Sequence, residues 1–379
     1  MSGSRNRYGR RSSYQHRQHQ TQSHFQHSHS QENRESAKLS RIHSLLSRIS
    51  DENERRLSHV HQINSLLSDP CSSWEKMQIF DAVTRIQGNS SVFETVFEDI
   101  RATVNFKTTV AKCLALIAFN LNNEISSYFH WLFERLQITS TNSIEREKER
   151  KIWLLFSLKE VLSRNVSGTS QNVSTSGPFQ QFIPGLLQDL EGLLDSMDRS
   201  DCFPGILEVL EKIAEKYPQE FGERFQDVID LLVGWYIDTS VSDSLQSLIA
   251  ETFKKLRPFW SQYLNFAYEL MSHFLADMEV FTGVTVSQEG PQIDKKTAEE
   301  ETIQSNIKAL LSCFHAVADA VATILPQVSS DEFNETTINE STHPYDRLRA
   351  WIIKFILVIG EMYMDAEWFE KGASCIKSL

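Results

Sequence analysis

From Ala37 onward, apolar residues recur at three- and four-residue spacing. "LSRIHSLLSRI" places Leu39, Ile42, Leu45, Leu46 and Ile49 on one stripe, which predicts an amphipathic helix. The same period predicts helices at about 106–121, 124–138, 144–164, 179–196, 203–216, 219–237, 243–256, 259–281, 299–325 and 345–364. No convincing alternating strand and no Asn-Gly or Asp-Gly hairpin interrupts them. The expected fold class is therefore all-α.

Helix boundaries are marked locally. Asp51 with Glu54, Ser72 with Glu75 and Ser91 with Glu94 have capping-box spacing. Gly88 follows "WEKMQIFDAVTRIQ" where a C-terminal cap belongs. Three polar stretches, 165–178, 282–296 and 329–343, read as flexible loops. Helix pairs with short internal turns give a period near 40 residues, the size of a HEAT-like repeat. A compact helical bundle is the alternative, but so many helices exceed the usual bundle. The expected organisation is a tail at 1–36 followed by a HEAT-like solenoid over 37–379.

One stretch departs from simple amphipathicity. "DVIDLLVGWYID", residues 227–238, is apolar on more than one face, yet Gly234 sits mid-helix at a cost of about 1 kcal/mol against alanine. In a stack of repeats, a glycine there predicts close approach by a neighbouring helix. Asp238 is expected to end this helix and to cap the next. Trp235, Trp260, Trp351 and Trp368 lie in apolar helical context and read as core.

Charge divides the chain. Residues 1–36 hold six arginines and two glutamates, +4, whereas the whole chain carries −12, leaving −16 on the remainder. The acidic body argues against broad nucleic-acid binding. The tail is Gln, His, Ser and Arg with almost no aliphatics, so it is expected to be disordered. Its arginines, interleaved with Tyr8, Tyr14 and Phe25, allow weak RNA contact, with a solubilising tail as the other reading. His16, His19, His24, His27 and His29 lack acidic or cysteine partners and read as solvated rather than metal-binding. Thr21 and Ser30 each precede glutamine and are weak candidate phosphosites.

The sequence shows no G-x-x-x-x-G-K-[ST], no G-x-G-x-x-G, no H-E-x-x-H and no kinase catalytic-loop motif. Asp227 and Asp230 lie one turn apart, a spacing that surface helices reach by chance. No catalytic, cofactor-binding or metal-binding residue is assigned. Five scattered cysteines without C-x-x-C suit a reducing compartment. No signal-peptide pattern opens the sequence, and "WIIKFILVIG" at 351–360 is too short to span a bilayer. A cytoplasmic location, with the nucleus as a second compartment and no membrane partner, is the expectation.

Two blocks carry a resemblance. "FQDVIDLLVGWYID", followed by "LRPFWSQYLNFAYELMSHFLADME" at 256–279, resembles a segment near the N-terminus of the phosphatidylinositol-kinase-related kinase of nonsense-mediated mRNA decay, the SMG-type kinase. "KLSRIHSLLSRISDENERRLSHVHQI", 38–63, is similar to the place where that family passes from its tail into helical repeats. The residues bearing the likeness are Asp230, Val233, Gly234, Trp235, Asp238, Pro258, Phe259 and Trp260.

The resemblance implies an N-terminal HEAT solenoid that holds regulatory subunits. In the full-length enzyme, a distant domain using ATP and a divalent metal phosphorylates an Upf-type RNA helicase at Ser/Thr-Gln sites. This sequence ends at Leu379, before the positions of the family's FAT region and kinase domain, so no catalytic residue transfers. A fragment, truncated product or incomplete gene model is expected, acting as a non-catalytic scaffold. A free-standing HEAT-like adaptor of another pathway is the alternative.

Overall fold

The computed structural model describes residues 37–69, 71–87, 90–138, 143–164, 179–196, 202–282, 284–287, 290–293 and 300–321. The tail, the loops at 165–178 and 329–343, the helix expected at 345–364, Gly88, Trp351 and Trp368 lie outside these residues. The chain divides into two compact units, Met1–Val166 and Ser167–Leu379.

The first unit contains α1 (37–50), α2 (Leu57–Ser68), α3 (Ser73–Thr84), α4 (Val92–Glu98), α5 (Val104–Asn120), α6 (Ile125–Gln137) and α7 (Ile144–Ser163). α5 is its centre, lying against α2, α3, α4 and α7. Its sequence explains the position: Val110, Ala111, Leu114, Ala115, Ile117 and Ala118 leave few polar faces, and all are buried. Thr103 caps its start by accepting the Phe106 N–H at 3.3 Å. After it, Asn122 adopts φ 51°, a left-handed conformation that asparagine tolerates, where the chain bends by 108° into α6.

The second unit contains α8 (Ile183–Ser196), α9 (Phe203–Lys216), α10 (Pro218–Ile237), α11 (Asp243–Lys255), α12 (Arg257–Trp260), α13 (Leu264–Thr282), strands β1 (Val284–Ser287) and β2 (Gly290–Ile293), and α14 (Glu300–Val321). Tyr217 alone separates α9 from α10, and Leu256 alone separates α11 from α12. Proline is the first residue of α10 and the second of α12, where a missing N–H costs nothing. α14 returns to pack on α10, α11, α12 and α13.

Both units are built from HEAT-like helical repeats. The clearest sign is a recurring sequence separation of hydrogen-bonded partners. Arg135 reaches Glu94 and Trp235 reaches Leu194, each across 41 positions. Thr252 reaches Glu211 and Tyr263 reaches Gly222, again across 41. Lys107 meets Glu149 across 42. Equivalent positions of successive repeats thus face one another, as stacking of a forty-residue unit requires.

The boundary expectations meet different outcomes. Ser72 and Glu75 form the full reciprocal box as expected, at 3.3 and 3.0 Å. At Ser91 only half closes: its N–H donates to Glu94 at 2.9 Å, while its buried hydroxyl has no partner. Asp51 and Glu54 cap no helix. They lie in a turn, where the Asp51 carboxylate accepts the Asn53 N–H, and α2 starts only at Leu57. The helix expected over 259–281 is broken into α12 and α13 around Ser261–Tyr263.

The loop expected at 282–296 instead holds a two-stranded antiparallel hairpin, with Val284 opposite Ile293 and Val286 opposite Pro291. The β-branched alternation Val-Thr-Val favours extension, and Pro291 is tolerated because every strand of a two-stranded sheet is an edge. Gln288-Glu289 carries none of the Asn-Gly or Asp-Gly chemistry that flags such hairpins.

Candidate functional site

Two residues of the resemblance, Phe259 and Trp260, lie at the seam between α10 and α12 in the second unit. Phe225 on α10 lies 5.0 Å from Trp260, 5.7 Å from Phe259 and 5.3 Å from Tyr263, ring centre to ring centre. Phe221 adds an edge-to-face contact with Phe259 at 4.9 Å. Trp260 is fully buried, and its indole N–H donates to the Phe253 carbonyl at 3.0 Å. A buried indole needs such an acceptor, since an unpaired one would bear the full cost of desolvation. Pro258 is the second residue of α12 and is exposed, while Phe259 turns inward.

Arg257, beside Pro258, donates to the Ala320 and Asp319 carbonyls at 3.0 and 3.3 Å. It thereby ties the α11–α12 corner to the last described turn of α14. Lys254 adds an ion pair to Asp319 at 2.9 Å. The α11–α12 corner therefore holds a helix 63 residues downstream in sequence.

The α10 residues separate by face. Val233 is buried, and half-buried Trp235 donates to the Leu194 carbonyl at 3.2 Å while its ring meets Phe203 at 5.0 Å. These contacts lock α10 to α8 and α9. Asp227, Asp230 and Gly234 form the exposed stripe. Gly234 is not a packing seam: a Cβ built there would meet nothing within 4 Å. The close approach occurs three turns earlier at buried Gly222, whose Cβ would meet the Phe259 ring and the Tyr263 hydroxyl at 3.9 Å. The Gly222 carbonyl accepts that hydroxyl at 2.7 Å. Asp238 ends α10 as expected, but its carboxylate accepts from Ser240 in the turn, and Ser242 caps α11.

A cleft of about 420 Å³ opens beside the seam, walled by Glu211, Ala214, Pro218, Lys255, Pro258 and Phe259. Its charged groups are already engaged: Glu211 accepts from Thr252 at 2.9 Å and from Lys255 at 2.7 Å. On the exposed stripe, partial burial lifts the Asp230 carboxyl above its ordinary range, Asp227 adds to the rise and His273 opposes it. Arg224 pairs with Asp227 at 3.1 Å and with Glu191 on α8. These groups form a paired, solvated surface with no nucleophile–base arrangement. Among the described residues no His, Cys, Asp and Glu group could hold a metal, and no single helix is long and apolar enough to cross a membrane. Thr21 and Ser30 lie outside the described residues.

The sequence reading missed a buried ionic cluster in the first unit. Glu94 is fully buried on α4; Arg135 on α6 and Arg150 on α7 are 2% exposed. Arg135 donates to Glu94 at 2.6 Å, and Arg150 donates to Glu98 at 3.2 Å and to the Ile138 carbonyl at 2.9 Å. Nearby, Lys107 donates to Glu149 at 2.6 Å and the Trp153 indole donates to it at 3.1 Å. Burial pushes the Glu149 carboxyl up, but those two donors outweigh it and hold it below the usual range. The missed signal was Glu94 and Arg135 themselves, charged residues inside otherwise apolar helical faces.

Comparison with known proteins agrees with the resemblance. No family model matches the chain. The serine/threonine-protein kinase SMG1 of Danio rerio is 22% identical over 304 residues, which is 79% of this chain and 8% of that protein. The Smg1 kinase of Drosophila melanogaster is 23% identical over 168 residues, 44% of this chain and 5% of the kinase. The chain is SMG1-like in sequence. It spans less than a tenth of either relative. Among solved structures, the karyopherin Kap121p bound to the extreme C-terminus of the phosphatase Cdc14p covers 87% of the chain at 15% identity, with a TM-score of 0.38. Importin beta covers 89% at 11% identity, with a TM-score of 0.36.

Proposed function

We propose that this chain is a non-catalytic scaffold, the N-terminal helical part of an SMG1-type serine/threonine kinase of nonsense-mediated mRNA decay. In this reading its repeats dock regulatory subunits, and the full-length enzyme phosphorylates an Upf-type RNA helicase with ATP and a divalent metal. The observation that carries the reading is the SMG1 likeness extending over 304 residues. The helical repeats support it physically, since stacked helix pairs present long continuous surfaces suited to holding other proteins.

Two measurements test it. Purified chain mixed with the regulatory subunits of the decay kinase should form a complex that survives size-exclusion chromatography. Sequencing of transcripts beyond the codon for Leu379 should reveal kinase motifs in frame. Absence of both results would favour a free-standing adaptor and overturn the proposal. Incubated alone with labelled ATP and a Ser-Gln peptide, the chain should give only background transfer.

A further inference from the structure

We propose that Lys38 and Cys71 are a redox pair that closes into a covalent cross-link between α1 and the α2–α3 corner. The Lys38 ammonium lies 3.0 Å from the Cys71 sulfur, across 33 positions of sequence, and also donates to the Asp69 carbonyl at 3.3 Å. Both residues are half-buried, so a small oxidant can reach them while the lysine side chain is held in place. Among the described residues no carboxylate pairs with Lys38; its one side-chain partner is the thiol. That is unusual for a lysine placed between two helical elements, where a carboxylate would ordinarily take the cation. The other described cysteines, Cys113, Cys202 and Cys313, are buried. Burial pushes the Cys113 thiol up to about 12 and raises Cys313 as well. Cys71 is thus the described cysteine open to chemistry.

The oxidant class is a hydroperoxide. In the first step the Cys71 sulfur takes one oxygen from hydrogen peroxide; an S–O bond forms, the O–O bond breaks and water leaves, giving a sulfenic acid. In the second step the Lys38 amine, its extra proton given to solvent, attacks sulfur. An S–N bond forms, the S–O bond breaks, and the departing hydroxide leaves as water with the amine's proton. Sulfur is oxidised by two electrons overall, and the product is a sulfenamide. A reducing thiol reverses it by attack on sulfur, returning amine and Cys71 thiol as the reductant becomes its disulfide. The link would pin α1, the first described helix, to the corner after α2.

The test treats the full chain with a slight excess of hydrogen peroxide and digests it for mass spectrometry. A peptide joining Lys38 to Cys71, about two mass units lighter than its parts and released by dithiothreitol, is expected. Lys38→Arg keeps the cation but cannot condense in this way, so it should stop at a sulfenic acid trapped by dimedone. Cys71→Ser should give neither product. Equal sulfenic acid in the native chain and Lys38→Arg, with no joined peptide, would overturn the proposal. So would a joined peptide carrying an extra oxygen, which denies the direct S–N bond, or no oxidation of Cys71 at all.

Discussion

The two units solve one architectural problem with different chemistry. In the first, besides ring contacts such as Phe97 with Trp153, helices are joined through buried charge: Glu94 meets Arg135, and Arg150 bridges Glu98 to the end of α6. In the second, the seam between α10 and α12 is filled by rings, with Phe225 enclosed by Phe259, Trp260 and Tyr263. Aromatic burial is non-directional and favourable by area. Buried ions must first be desolvated, and they recover that cost only in one geometry. The aromatic seam therefore supplies adhesion, whereas the ionic cluster penalises every arrangement of α4, α6 and α7 but one.

The largest effects should come from breaking either seam. Glu94→Ala removes the buried carboxylate that accepts from Arg135 and from the Ser91 N–H, and should cost about 3–5 kcal/mol. Hydrogen exchange should accelerate in α4, α6 and α7 and stay unchanged in 203–282. Trp260→Ala should cost a similar amount, about 3–5 kcal/mol, with the pattern reversed between the units. If either variant loosened both units equally, the contrast would fail.

Replacing the pair separates adhesion from geometry. Glu94→Leu combined with Arg135→Met should cost less than Glu94→Ala, as read from denaturant midpoints. The remaining loss comes from the buried Ser91 N–H and from Arg150, which also face the Glu94 carboxylate. A loss as large as that of Glu94→Ala would mean that the ions hold the first unit together.

The glycines of α10 give a smaller contrast. Gly222→Leu should cost about 1–3 kcal/mol through overpacking against Phe259 and Tyr263. Gly234→Leu, on the open face, should stay within about 0.5 kcal/mol. Comparable melting shifts for the two would restore Gly234 as a packing position.

The smallest expected effect is electrostatic. The Asp230 carboxyl is raised in the folded chain by partial burial, then by Asp227. Its charged form is therefore disfavoured on folding at neutral pH. Asp230→Asn should stabilise slightly there, and the gain should vanish as pH falls through the raised value to that of the unfolded chain. Because Asp230 is solvent-exposed overall, the shift in melting temperature should be small and reduced by salt. An advantage that grew toward acid pH would contradict the assigned cause.

Periodicity is sufficient for most of the helices. It places Phe203–Lys216 at its observed bounds, and 124–138, 219–237 and 243–256 within a residue or so. Those helices carry strong one-face stripes with proline or serine at their starts. Legibility fails where the deciding partner lies far along the chain. Nothing near Gly234 reveals that its neighbours leave it open, and nothing near Gly222 reveals Tyr263 pressing against it 41 residues later. The break at Ser261–Tyr263 is equally silent, because its apolar residues continue the helical period on both sides.

The sequence by itself determined the helical character, the forty-residue period and the SMG-type likeness of the blocks at 38–63, 225–238 and 256–279. Those properties rest on local spacing, capping and the order of residue types, which the linear chain displays. Tertiary structure decided which face each helix buries, that Glu94 and Arg135 are paired rather than solvated, and that Arg257 binds carbonyls of α14. Each of these depends on groups tens of residues apart sharing one low-dielectric space, where a partner's presence or absence changes the sign of a residue's contribution.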